Sequence, residues 1–354
     1  MNIFHCDHCR QPVFFENVRC LSCNHPLAYL PDIGVMGSLE QAQDGSWLSP
    51  IPRAQGRRYR LCANYDQANV CNWAVAADDP DSLCASCRLT RVIPDLGVEG
   101  NKEAWFKLEA AKRRLIYSVL QLRLPLQKKN GDDPQGLAFE FLADSAEKKI
   151  FTGHSDGVIT INIAEADDAK RELRRVQLHE PYRTLLGHFR HEIGHYYWNV
   201  LIENSPHLDA FRTLFGDETE DYAQAVQRHY ANGAPADWQQ RFISAYATMH
   251  PWEDWAESWA HYLHMTDALE MAQACGLSLH PQRRDDPSLD AANKRQYTSF
   301  DDMIRDWFSL TYLLNNLNRS MGLPDGYPFV LSQPVIEKLR FIHDSVQAAG
   351  NSRV

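Results

Sequence analysis

Three things are missing from this 354-residue chain, and each absence removes a class of protein. No apolar run reaches the roughly 20 residues a bilayer-spanning helix needs, and the opening "MNIFHCDHC" has no apolar signal region. Neither a membrane-embedded nor an exported protein is expected, and the chain reads as cytoplasmic. Positive charge is in deficit: 36 Lys and Arg stand against 46 Asp and Glu, a net of −10. That balance argues against a general nucleic-acid binder, although it leaves room for a local basic patch. Cysteine is almost absent from most of the chain: beyond residue 90 only Cys275 occurs, and an isolated thiol reads by default as buried or inert.

The other eight of the nine cysteines all precede residue 90. Cys6-x2-Cys9 and Cys20-x2-Cys23 are two knuckles, the spacing of a zinc ribbon, in which each knuckle offers two thiolates to one metal with little backbone strain. Cys62, Cys71 and the Cys84-x2-Cys87 knuckle form a second, looser quartet. In a reducing compartment such pairs point to metal rather than disulfides. Pairing within each group is the simpler arrangement, and an interleaved one is also compatible with the spacing. Four-thiolate sites leave no position for water, so both are expected to be structural, and small modules of this kind depend on the ion to fold. Between the quartets, "IPRAQGRRYR" is basic and carries Tyr59. It reads either as a docking surface for a nucleic acid or an acidic partner or, more simply, as a solvated loop.

Hydrophobic residues make up 44 % of the chain, enough for a sizeable core, and the length suits one catalytic domain with a smaller appendage. "IPDLGVEGN" has the character of a boundary, so the expected domains are a double zinc-ribbon module over residues 1–95 and a second domain over 101–354. Asn101, a candidate cap, opens a long predicted helix that Pro125 ends. "GLAFEFLAD" and "GVITINIAEAD" read as strands, the second alternating Ile159, Ile161 and Ile163 with polar residues. Everything after the run "YRTLLGHFRHEIGHYYWNVLI" reads as helical, apart from an irregular polar stretch around "HPQRRDDPSLDAANKRQ". The fold class is therefore α+β, mainly helical with a small sheet.

That run contains His191-Glu192-Ile193-Gly194-His195. Two imidazoles at i and i+4 share one helical face and can grip a single zinc, and the carboxylate after the first can reach a water on that metal. Gly194 costs about 1 kcal/mol against alanine in a helix interior, which suggests a close-packed neighbour. A catalytic zinc needs a third protein ligand. "HPWEDWAESWAHYLHMTD" offers Glu253 and Glu257, one helical turn apart. Glu253 is taken as the ligand and Glu257 as the acceptor that orients a histidine through its free ring N–H, with the reverse assignment open. His188, His261, His264, Asn315, Asn316 and Asn318 are better explained by rim, packing or capping roles than by ligation. Trp252, Trp255 and Trp259 read as core.

The segment from Glu253, "EDWAESWAHYLHMTD", resembles the third-ligand helix of glutamate zincins. It is most similar to the metal core of the anthrax lethal factor catalytic domain, where a glutamate ligand is followed by Ala-Glu at the same offset. In that relative a tyrosine seven residues before the ligand supports the reaction, and Tyr246 holds that spacing here. Tyr246 reads equally as a buried core aromatic. The chain as a whole resembles a bacterial family that couples an N-terminal zinc ribbon to a zinc-binding metallopeptidase. The stretches that carry this likeness are "CNW" at Cys71, "SCRLTRVIPDLGVEGN", "AWFKLEAAKRRLIY", "FRHEIGHYYW", "WEDWAESWAHYLH" and "YPFVL". The resemblance implies a zincin-like peptidase domain.

On this reading the chain holds one catalytic and two structural Zn²⁺ ions, with His191, His195 and Glu253 around the catalytic one. Glu192 would act as general base toward a peptide or protein substrate, and Tyr246 would share the oxyanion charge with zinc. The substrate would be an extended peptide added along the Ile159–Ile163 strand. The ribbon module would recruit a protein partner or substrate, or control access. The competing reading is a non-catalytic zinc-ribbon adaptor with a peptidase-like domain, and hydrolysis of some other amide is a third.

Overall fold

The computed structural model describes residues 2–130, 135–145, 147–169, 171, 184–290 and 297–351. The chain packs into two compact units, Asn2–Gln121 with Leu126–Leu178, and Leu122–Pro125 with His179–Val354.

The first unit is built from short strands, as expected where four-residue metal knuckles interrupt the chain. Phe4–His5 pairs with Pro12–Val13, and Leu27–Leu30 pairs with Val35–Ser38, both antiparallel. A four-stranded antiparallel sheet follows, in the order Glu40–Gln41, Trp47–Leu48, Tyr59–Leu61 and Ala74–Ala76. Phe15, Tyr29, Trp73 and Tyr117 form an aromatic core, with Tyr29 and Trp73 centroids 4.6 Å apart. Helix α1 spans Asn101–Gln121. Asn101 does not cap it: its side-chain amide donates to Asp95 O at 2.8 Å, tying the helix start to the preceding loop. The helix stops four residues before Pro125, and Arg123 takes a left-handed φ of 55°.

The two predicted strands are Ala138–Leu142 and Val158–Asn162, paired in parallel with Phe139 opposite Ile159. Ile159 and Ile161 are buried, but Ile163 is not in the strand: Asn162 ends it by accepting the Ala164 N–H at 2.9 Å. In sheet order, Val158–Asn162 lies between Gly153–Ser155 and Ala138–Leu142. Ala138–Leu142 pairs with one edge along its length and Gly153–Ser155 pairs with the other at Val158–Thr160, so among the described residues no continuous edge is left for the expected peptide addition along this strand.

The second unit is helical. Helix α2, Leu185–Leu201, carries the two motif histidines; Thr184 caps it by accepting the Gly187 N–H at 2.9 Å. Helices α3 (Leu208–Phe215) and α4 (Tyr222–Asn232) are short and lead to α5, Pro251–Ala274. Helix α5 begins with Pro251 in its first turn, and His250 Nδ1 accepts the Trp252 N–H at 3.1 Å. Helices α6 (Phe300–Ser320) and α7 (Gln333–Asn351) close the chain. The polar stretch before α6 is not wholly irregular, since Ser278–Leu279 pairs with Leu289–Asp290; residues 291–296 lie outside the described residues.

Helices α2 and α5 pack face to face because one position between them has no side chain. A Cβ on Gly194 would stand 3.1 Å from Ala256 Cα and 3.2 Å from Trp259 Cβ. Around that contact Trp255 Nε1 donates to Gly194 O at 2.9 Å, and Tyr197 stacks on Trp259 with centroids 5.0 Å apart. Trp255 and Trp259 are core, as expected. Trp252 is not: it is half-buried, with its ring 4.4 Å from that of His195.

Candidate metal centre

The two cysteine quartets assemble within their sequence groups, not interleaved. Cys6, Cys9, Cys20 and Cys23 bring their sulfurs within 4.8 Å of one another, and so do Cys62, Cys71, Cys84 and Cys87. The first quartet is two copies of one turn. Arg10 N bonds Cys6 O at 2.8 Å and Asn24 N bonds Cys20 O at 2.9 Å, and both residues take left-handed φ values, 66° and 62°. Such turns point two sulfurs to the same side, which is why the knuckle spacing recurs. The second quartet is deeply buried and receives backbone N–H groups: Cys84 N to Cys62 Sγ at 3.3 Å and Trp73 N to Cys71 Sγ at 3.4 Å.

Beside the second quartet lies a buried charge cluster that sequence reading missed. Glu109 accepts from Lys112 and Thr90, and the Arg113 guanidinium donates to Val70 O at 2.5 Å. Burial opposes charge on Arg113, but the neighbouring Cys71 and Cys87 thiolates raise its proton affinity. The available signal was three charged residues on the face of α1 that also carries Trp105, Leu108 and Ile116, all buried.

In the second unit His191, His195 and Glu253 each place a donor atom within 4.8 Å of the others. His191 Nε2 is 3.0 Å from Glu253 Oε2, and His195 Nε2 is 3.5 Å from Glu253 Oε1. The far side of His191 is fixed: its Nδ1 bonds Glu257 Oε1 at 2.6 Å, and Glu257 Oε2 accepts from Ser244 Oγ at 2.7 Å. With Nδ1–H donated to the carboxylate, the lone pair of a neutral ring lies on Nε2 and faces Glu253. Glu257 is thus next to Nδ1, and Glu253 is on the Nε2 side with both imidazoles.

These residues fit a divalent cation on electrostatic grounds. Glu253 Oε2 is buried and, among the described residues, has no neighbour in bonding reach except Nε2 of His191 at 3.0 Å. Burial favours a neutral Glu253, yet the charges and bonds of His195 and His191 hold it well below the usual carboxylate range. Burial likewise disfavours a charged His191, and the two carboxylates override it, raising its proton affinity well above an ordinary histidine. The arrangement favours positive charge between these atoms, which a metal bound there would supply.

Glu192 is buried, and burial raises its pKa despite the opposing pull of His191 and His195. Tyr246 is half-buried, with its ring centroid 5.9 Å from that of His191. Tyr222, which sequence reading did not single out, donates its hydroxyl to Glu253 Oε1 at 2.8 Å. Nothing in the local sequence marks it, because it reaches the site from a separate short helix, 31 residues before its partner.

The remaining candidates sort plainly. His188 is outside the metal-competent groups found among the described residues. His261 bonds the Tyr327 hydroxyl at 2.9 Å, and His264 packs against Trp307 and Tyr327. Asn315 holds both backbone groups of Tyr327, and Asn316 and Asn318 donate to Tyr312 O and Pro324 O. Cys275 is exposed, not buried, at the end of α5. In "IPRAQGRRYR", Tyr59 is buried and donates to Asp32, while Arg57 and Arg58 pair with Asp32 and Asp44. Those arginines are neutralised within the chain, which favours the solvated-loop reading. His8, His25 and Glu40 also bring donors within 4.8 Å of one another on the surface. The two rings stack at 3.8 Å, so their in-plane lone pairs run side by side and do not converge.

Among the described residues no helix is long and apolar enough to cross a membrane. The chain is 47 % identical, over 98 % of its length and 95 % of theirs, to uncharacterized proteins of Mycobacterium tuberculosis and Mycobacterium bovis. No solved structure matches it. Residues 3–98 match the profile of a zinc-ribbon domain. Residues 101–345, which contain every donor of the histidine–glutamate centre, match the family described as "Putative zinc-binding metallo-peptidase", and the chain belongs to that family.

Proposed function

We propose that the chain is a zinc-dependent peptidase of the glutamate zincin type. The observation that supports it most is the oriented donor set: His191, His195 and Glu253 converge, and Glu257 fixes the outer nitrogen of His191. A purely structural site has no use for the buried carboxylate of Glu192 beside the first histidine. Zinc bound there supplies the Lewis acidity that polarises a water and a peptide carbonyl. Glu192 accepts the proton of the attacking water and returns it to the leaving amine. Its raised proton affinity suits an acceptor that must later act as donor. Tyr246 donates a hydrogen bond to the developing oxyanion. The two cysteine quartets hold structural zinc, and the ribbon module recruits substrate or a protein partner, or governs access to the centre. The physiological setting is the cytoplasm, where unpaired thiolates persist.

The test is Glu192→Gln in the full chain. Metal analysis should give about three zinc ions per chain in both proteins, one of them removable by a mild chelator. Cleavage of a peptide library should fall on the order of 100- to 10,000-fold in the variant. Equal inactivity of both proteins across broad libraries, with the labile zinc present, would replace the peptidase by a non-catalytic adaptor.

A further inference from the structure

We infer that Tyr222 is a positioning residue of the metal centre, holding one oxygen of Glu253 so that only the other is presented to the metal. The inference rests on the reading of Glu253 as a zinc ligand. The two oxygens of this carboxylate are not equivalent. Oε1 accepts the Tyr222 hydroxyl at 2.8 Å and stands 3.5 Å from Nε2 of His195, whereas Oε2 is buried, takes no hydroxyl or backbone donor among the described residues and lies closer, 3.0 Å, to Nε2 of His191. A glutamate with both oxygens free can bind through both and occupy the vertex that water needs. A hydrogen bond to one oxygen draws its electron density away from the ion and favours binding through the other.

The placement of Tyr222 is itself anchored to the ligand helix. It is the first residue of α4, directly after Asp221, which caps that helix by accepting the Gln224 N–H at 3.0 Å. One residue earlier, Glu220 O accepts from Nε2 of His250, the capping residue of α5, at 3.1 Å. The chain leading into Tyr222 is therefore pinned to the start of the helix that carries Glu253. The ring of Tyr222 rests edge-on against His250, centroids 5.3 Å apart, and Trp252, while α4 itself buries only Ala225 and Tyr222 stays 41 % exposed. Those contacts place the ring, and the bond to Glu253 Oε1 turns its hydroxyl into the centre.

The experiment uses the full chain and Tyr222→Phe, which removes one hydroxyl and keeps the ring. Zinc affinity of the chelator-labile site is measured by competition; Co²⁺ is then added after mild chelation and its visible absorption recorded. The expected result is zinc affinity 10- to 100-fold weaker. The cobalt bands should also lose intensity, as a four-coordinate ion becomes five-coordinate. Tyr230→Phe, on the exposed face of the same helix, should change neither readout. An unchanged cobalt spectrum in Tyr222→Phe overturns the inference whatever the affinity, while leaving the metal centre standing. Absence of the labile zinc from the wild-type chain sinks the centre and this inference together.

Discussion

At the residue scale, the site depends on which nitrogen of His191 is free. Glu257 decides this by accepting from Nδ1 at 2.6 Å, and Ser244 steadies Glu257 from behind at 2.7 Å. Replacing Glu257 by alanine should leave the imidazole free to rotate and to change tautomer. Zinc affinity of the labile site is expected to fall 10- to 100-fold, with a smaller loss for Ser244→Ala, which acts one bond further out. Chelator competition on both variants checks the order; a larger effect for Ser244→Ala would contradict it. His191, Glu192 and His195 are legible in sequence because i, i+4 spacing alone puts two side chains on one face. The pair Glu253 and Glu257 is legible for the same reason. Their division of labour is not, since spacing leaves either glutamate able to face the metal, and only the packing of α5 on α2 aims each at a different nitrogen.

At the element scale, the centre exists because α2 and α5 approach closely at Gly194. A side chain there meets the Ala256 backbone and Trp259 at 3.1 and 3.2 Å, and neither is the flexible end of a side chain. Gly194→Val is expected to destabilise this unit by roughly 2 to 3 kcal/mol, since overpacking outweighs the small gain in helix propensity. A denaturation midpoint equal to wild type would refute the close-contact account. Sequence patterning located both helices and the suspicion of tight packing, because periodicity and a costly glycine are local signals. It misplaced the end of the Ile159 strand and the role of Asn101, and of the two readings of Cys275, buried or inert, the first fails. Each turns on a detail that periodicity does not encode: Asn162 accepting from Ala164, Asn101 donating to Asp95 O, and the end of α5 leaving Cys275 in solvent.

At the scale of the whole molecule, buried histidines make stability depend on pH. Burial lowers His261 to about 4, against a pull upward from Glu257 and with a further downward push from Arg190. His264, lowered by burial and by its positive neighbours, stands at about 3. An unfolded histidine titrates near 6.5. Below that value the unfolded chain binds protons that the folded chain refuses, so the stability these neutral rings allow is fully present above about 6.5. It is lost as pH falls toward 4. Each ring should cost of order 1 to 2 kcal/mol at pH 5. Urea midpoints at pH 7 and pH 5 check this: wild type should weaken, and His261→Gln should weaken about half as much from this source. An equal fall in both proteins would mean that His261 is not the group responsible.

The sequence alone determined the donors and their local geometry. Two cysteines in a knuckle, two histidines on a helical turn and two glutamates on another are set by backbone geometry over three or four residues. Those constraints hold wherever the segments end up. The tertiary structure decided the pairings across distance: which quartet each cysteine joins, which oxygen of Glu253 is held by Tyr222, and which charges of α1 lie buried. It also placed the Val158–Asn162 strand between two others of its sheet, where no continuous edge is open among the described residues. These outcomes depend on packing between segments tens of residues apart, and there the free energy of burial chooses among arrangements that local spacing leaves equivalent.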